Sequence, residues 1–157
     1  MGKSIRHNKY REYALEIIDM LSKSIERLKY SYSKVQQINL DKENFTEDEL
    51  ETIESLCSRF ARTSDILLQK AFRFLDIYEH EGYDFPVPKR ISLAEKRKLI
   101  PNAETYKYIR ELRNEVAHNY ATDYYIDLFK EIFNYTPSLF EIVENTIRYL
   151  NKKFQQN

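Results

Sequence analysis

The chain has 157 residues with 25 basic and 25 acidic side chains, so no net field draws it onto a polyanion. Its two glycines, Gly2 and Gly82, leave no Gly-rich phosphate loop and too little punctuation for a sheet joined by hairpins. The single cysteine, Cys57, excludes an intramolecular disulfide and a zinc cluster built on cysteines. No metal or other cofactor is expected.

No apolar run approaches the ~18–20 residues of a membrane span, and no signal-peptide pattern opens the sequence. The expectation is one cytoplasmic domain over residues 1–157, with no membrane association.

The first predicted helix runs from about Tyr10 to Gln37. Ile18, Leu21, Ile25, Leu28, Tyr32 and Val35 recur there at spacings of three and four, the stripe of a helix packed on one side. A polar break over residues 39–44 follows. Thr46-Glu47-Asp48-Glu49 then fits a capping box, with Phe45 and Leu50 flanking it as a hydrophobic staple. From Leu50 through Ile53, Cys57, Phe60, Ser64, Leu67, Ala71, Phe74 and Tyr78 a single apolar face extends over about eight turns. Cys57 lies on that face and reads as a buried small hydrophobe.

Gly82, Pro86 and Pro88 forbid a continuous helix across their segment. A short helix capped by Ser92-Leu93-Ala94-Glu95 is expected next, closing before Pro101. Asn102 caps a further helix that ends near Tyr120. Another begins near Asp123, and Thr136-Pro137 reads as an N-cap followed by proline at the first position of the last helix, which continues to about Phe154. The sum is an all-α protein, an antiparallel up-down bundle of four to five helices.

One stretch carries chemistry: Arg113-Asn114-Glu115-Val116-Ala117-His118-Asn119-Tyr120. With 11 arginines and 3 histidines in the chain, Arg-x4-His arises by chance roughly 0.2 times. Requiring one of 13 tyrosines two places on lowers that to roughly 0.02. At ~100° per residue, Ile109, Leu112 and Val116 define the buried stripe, Arg113 sits at its edge, and His118 points away from it. Histidine can take or give a proton near neutral pH, and a guanidinium can hold a phosphate and stabilise charge building on it. Asn114 can donate to the phosphate or fix the imidazole. These three are the candidate catalytic residues.

Arg113 and His118 point ~140° apart on an ideal helix. They converge on one phosphate if the helix loosens after Ala117, if the long Arg113 side chain wraps round, or if two subunits share a cleft. Lys96, Arg97 and Lys98 form the most basic stretch of the sequence and are candidate RNA contacts, although runs of this size are ordinarily solvated helix faces.

An all-α chain with Arg-Asn-x3-His-x-Tyr near the end of a helix resembles the HEPN superfamily, and within it the HepT branch. That resemblance implies a homodimeric, metal-independent endoribonuclease toxin. It also implies an MntA-like nucleotidyltransferase as antitoxin, which silences the nuclease by transferring AMP to the motif tyrosine, Tyr120 by position. Tyr124 and Tyr125 are secondary candidates. A bulky anion placed two residues from His118 would block the site and repel RNA. The same motif fits a second expectation, a non-catalytic substrate-binding partner of a minimal nucleotidyltransferase.

Overall fold

The computed structural model describes residues 2–118 and 125–155, and within them every regular element is helical. Helix α1 (Gly2–Val35) is followed by α2 (Glu47–Ile66), a π-helical segment over Leu67–Phe72, and α3 (Arg73–Glu79). Helix α4 (Val87–Lys96) is short, and α5 (Ala103–His118) and α6 (Tyr125–Phe154) complete the fold. Cross-helix pairs fix the directions. Tyr10 meets Phe74, whereas Ser24 meets Thr63 and Ser31 meets Arg59, so α1 and the α2–α3 rod are antiparallel. Tyr106 packs on Phe72, Arg113 binds Asp65, and Val116 shares a groove with Cys57, which sets α5 antiparallel to the α2–α3 rod. Tyr108 packs on Tyr135, and Tyr32 stacks on Phe133 while Lys29 pairs with Glu144, so α6 closes an up-down bundle of four long rods.

The apolar stripe anticipated for α1 is buried at Leu21, Ile25, Leu28 and Val35, together with Ala14 and Ile17, and the helix begins eight residues earlier than expected. Thr46 forms the anticipated capping box: its hydroxyl accepts from the Glu49 amide at 3.1 Å and the Glu49 carboxylate accepts from the Thr46 amide at 2.9 Å. The long second rod is continuous but not uniformly α-helical. A π-helical segment inserts a residue over Leu67–Phe72, and Leu67, Leu68, Ala71 and Phe72 within it are all buried. Two side chains cap carbonyls around it: the Tyr106 hydroxyl donates to Ser64 O at 3.0 Å and Arg90 Nη1 to Leu68 O at 3.0 Å.

Two helix starts differ from the sequence reading. Ser92 is not a cap. Helix α4 begins at Val87, with Pro88 in its first turn where a missing N–H costs nothing, and the Ser92 hydroxyl donates back to Pro88 O. Pro137 likewise does not open a helix but lies inside α6. Leu128, Phe129 and Ile132 before it and Leu139, Ile142 and Val143 after it are all buried, so core packing carries the helix through the missing amide. The Thr136 hydroxyl, instead of capping, donates to Ile132 O at 2.7 Å. Asn102 does cap α5, accepting from the Thr105 amide at 2.7 Å.

Candidate functional site

Helix α5 presents Ile109 and Leu112 to the core and leaves the next positions of each turn at its margin. Arg113 occupies that margin beside α2. Its Nε and Nη2 donate to the two carboxylate oxygens of Asp65 at 2.8 and 3.0 Å, a bidentate pair, and Arg110 Nη1 donates to Asp65 Oδ1 at 2.7 Å. The remaining Arg113 nitrogen, Nη1, faces Asn114 Oδ1 at 3.4 Å. Burial pushes the Asp65 carboxyl up, but the hydrogen bonds from Arg113 and Arg110 outweigh it and hold the group below its ordinary range. Arg113 is held correspondingly above its own, chiefly by the same hydrogen bonds.

His118 is the last residue of α5 and is exposed. The helix stays helical up to that residue, so no loosening before it turns the imidazole toward Arg113, and Arg113 reaches toward α2 instead. Asn114 is exposed on the outer face. The structure therefore places Arg113, Asn114 and His118 on the last turn and a half of one helix without converging the arginine and the histidine. Asn119, Tyr120 and Tyr124 lie outside the described residues, as does the side chain of Tyr125.

A groove of about 450 Å³ runs beside the motif, lined by Cys57, Ser58 and Ala61 of α2, Arg113 and Val116 of α5, and Phe129 of α6, among others. Cys57 is buried at its floor, and burial first, then Glu54, pushes the thiol to about 12, leaving it without nucleophilic character. Among the described residues no group of three or more His, Cys, Asp or Glu side chains is arranged to hold a metal ion.

The basic stretch divides. Arg97 is spent inside the chain: its Nη2 lies 2.9 Å from Asp76 Oδ1, its Nε donates to Glu79 Oε2 at 3.1 Å, and its side chain is 6% exposed. Lys98 is exposed but sits at φ 63°, and its neighbour's amide, Leu99 N, closes α4 by donating to Ala94 O. Lys96 is exposed on the last turn of α4. All three precede the start of α5, and His118 lies at the far end of that helix, which is ~24 Å long for sixteen residues at ~1.5 Å each. Within one chain the basic stretch and the motif are at opposite ends.

No family model, curated protein or solved structure matches the chain. The site is therefore read from its own chemistry. Asp65 is the residue that sequence reasoning missed. A carboxylate on the α2 face one residue past buried Ser64 gives no local signal, because its partners lie 45 and 48 positions away. Among the described residues no helix is long and apolar enough to cross a membrane.

Proposed function

We propose that the chain is a metal-independent endoribonuclease of the HEPN toxin type. The observation that carries this reading is Arg113, preset by a bidentate carboxylate, on the same terminal turns of α5 as an exposed His118. Cleavage follows from those groups. One imidazole takes the proton of a ribose 2′-hydroxyl, and the freed oxygen attacks the adjacent phosphorus. The bond to the 5′-oxygen breaks as a second imidazole returns a proton to it, leaving a 2′,3′-cyclic phosphate and a 5′-hydroxyl. Arg113 stabilises the charge on the pentavalent phosphorus.

Two imidazoles and a divergent Arg113 call for two chains. We read the working unit as a homodimer whose motifs face one cleft, each chain supplying the His118 that the other chain's Arg113 lacks. In this reading the motif tyrosine two positions after His118 also explains control. An MntA-like nucleotidyltransferase would attach AMP to Tyr120 and so fill the cleft with an anion.

The test is cleavage of total RNA in excess EDTA. Wild type is expected to cut, and His118→Ala to fold normally and not cut. Cleavage by neither protein, with the intact mass showing no AMP, would refute the nuclease reading. Mixing wild-type chains with an equal amount of His118→Ala chains checks the shared cleft. Half the dimers become heterodimers with a single His118 and half of the wild-type chains remain in dimers with both, so activity per wild-type chain should fall to about half. No loss on mixing, with subunit exchange verified, would refute the shared cleft.

One observation favours a second reading. Both faces of the Arg113 fork on the Asp65 side are occupied, as they would be in a purely structural ion pair. A non-catalytic partner of a nucleotidyltransferase would show tight binding to that enzyme and no cleavage at any protein concentration.

A further inference from the structure

The neutral chain needs a place for RNA, and the basic stretch at Lys96–Lys98 is far from the motif and has its arginine buried in ion pairs. A different surface is basic in space. Lys23 and Arg27, one turn apart on α1, and Arg59 and Arg62, one turn apart on α2, line a groove of about 330 Å³ together with Met20 and Ile66. Four cations line it and no carboxylate does.

Two of the four have no other task. The side chains of Arg27 and Arg62 are exposed and make no hydrogen bond or ion pair with the described residues. Arg59 is anchored by donating to Ser31 Oγ at 2.8 Å and Arg27 O at 3.2 Å, which leaves its charge unmatched. Lys23 alone has an anionic neighbour, the exposed Asp19 at 2.9 Å. Unmatched arginines side by side repel one another, and an apolar or zwitterionic partner would not relieve that; a phosphate chain would.

The groove also has a direction. Past Arg59 the adjoining hollow takes in Tyr30 and Lys34 and also Asp48 and Glu51, carboxylates that end the basic tract there. At that end Tyr30 stands 59% exposed with the Arg59 guanidinium 6.0 Å and the Lys34 ammonium 5.1 Å from its ring, a platform on which a base can stack. Toward the other end Arg62 and Asp65 share a hollow with Ser58 and Ala61, and those two small residues also border the groove that holds Arg113. Asp65 does not interrupt the basic tract, because Arg110 and Arg113 together outweigh its charge. The surface is continuous from Tyr30 to the motif helix.

We propose that this α1–α2 groove is the track for single-stranded RNA, with Arg27, Arg59 and Arg62 on its phosphates and Tyr30 under a base, leading the strand to Arg113. The proposal deepens the nuclease reading and rests on it for the identity of the polyanion.

The experiment uses the full chain carrying His118→Ala, so that bound RNA survives, and a fluorescein-labelled oligouridylate titrated over a range of salt. Adding Arg27→Ala and Arg62→Ala should weaken binding about tenfold or more at ~0.1 M salt and lower the log–log salt slope by ~1.4, two contacts at ~0.7 each. Lys107→Ala with Lys152→Ala removes the same charge from exposed positions elsewhere and should change affinity by less than about twofold. Equal weakening in both pairs, or none in the arginine pair, overturns the track. Stronger competition by poly-glutamate than by unlabelled oligouridylate of equal charge also overturns it, assigning the groove to an acidic protein surface. The two readings separate cleanly. Full cleavage by Arg27→Ala/Arg62→Ala with His118 restored and RNA binding unimpaired refutes the track and leaves the nuclease. Arginine-dependent RNA binding by a wild-type chain that never cleaves supports the track and refutes the nuclease.

Discussion

Asp65→Asn tests whether a carboxylate on α2 sets the geometry of Arg113. The substitution keeps the shape and removes the charge that accepts three guanidinium hydrogen bonds of 2.7–3.0 Å. A fully buried charged hydrogen bond contributes ~1.5–3 kcal/mol and an exposed pair ~0.2–1 kcal/mol. The Asp65 and Arg113 side chains are 35% and 30% exposed, so solvent screens part of the interaction, while the bidentate fork places it near the top of the surface range. The expected loss is about 1 kcal/mol, read as a shift of the urea midpoint at pH 7.

The sign of its pH dependence follows from the depressed Asp65 carboxyl. The stabilisation is fully present above the unfolded carboxyl value of ~3.9 and is lost as pH falls through the folded value. Wild type and Asp65→Asn should therefore differ at pH 7 and converge in acid. In cleavage assays the same variant should lower kcat with little change in KM, since a loosened Arg113 still meets the ground-state phosphate but not the charged pentavalent one. A double-mutant cycle with Arg113→Ala decides the matter: zero coupling in both stability and kcat would refute the positioning role.

Pro137→Ala restores an amide to the interior of α6 and removes a ring that crowds the Phe133 carbonyl, so it should raise the thermal midpoint, by up to about 3 kcal/mol of stability. Asp76→Ala leaves Arg90 and Arg97, 7% and 6% exposed, without their shared buried anion and should cost about 3 kcal/mol, measured by denaturant unfolding. Tyr106→Phe deletes the fully buried hydroxyl that donates to Ser64 O beside the π turn; a loss of about 1–2 kcal/mol by thermal unfolding is expected.

Much of the bundle is legible because its signals are local. The Thr46 capping box, the α1 stripe and the Asn102 cap each depend on residues within a turn or two of one another. The misread features depend on distant partners. Pro137 looks like a helix start in isolation, and only the buried side chains on both sides of it show why α6 runs through. The π turn has no proline or glycine to announce it, and the side chains that meet its carbonyls, Tyr106 and Arg90, come from α5 and α4. For the site, the motif residues could be named from their spacing, but their geometry could not. Asp65 enters only once α2 and α5 are set side by side.

Charge gives the clearest case of the same rule. Along the sequence the densest basic stretch is Lys89–Lys98, yet folding buries the side chains of Arg90 and Arg97 against Asp76, Glu79 and Asp84. Burying an arginine demands an anion beside it, so a basic run that crosses the core is drawn into ion pairs and contributes little outward field. Lys23, Arg27, Arg59 and Arg62 form no run at all. They become a patch because spacings of three and four put each pair on one face of its helix, and because the antiparallel packing of α1 on α2 turns those two faces into one groove. In a net-neutral helical bundle, a surface that can hold a polyanion is therefore made by helix register, and it has to be sought in pairs of i, i+3 and i, i+4 cations on neighbouring helices.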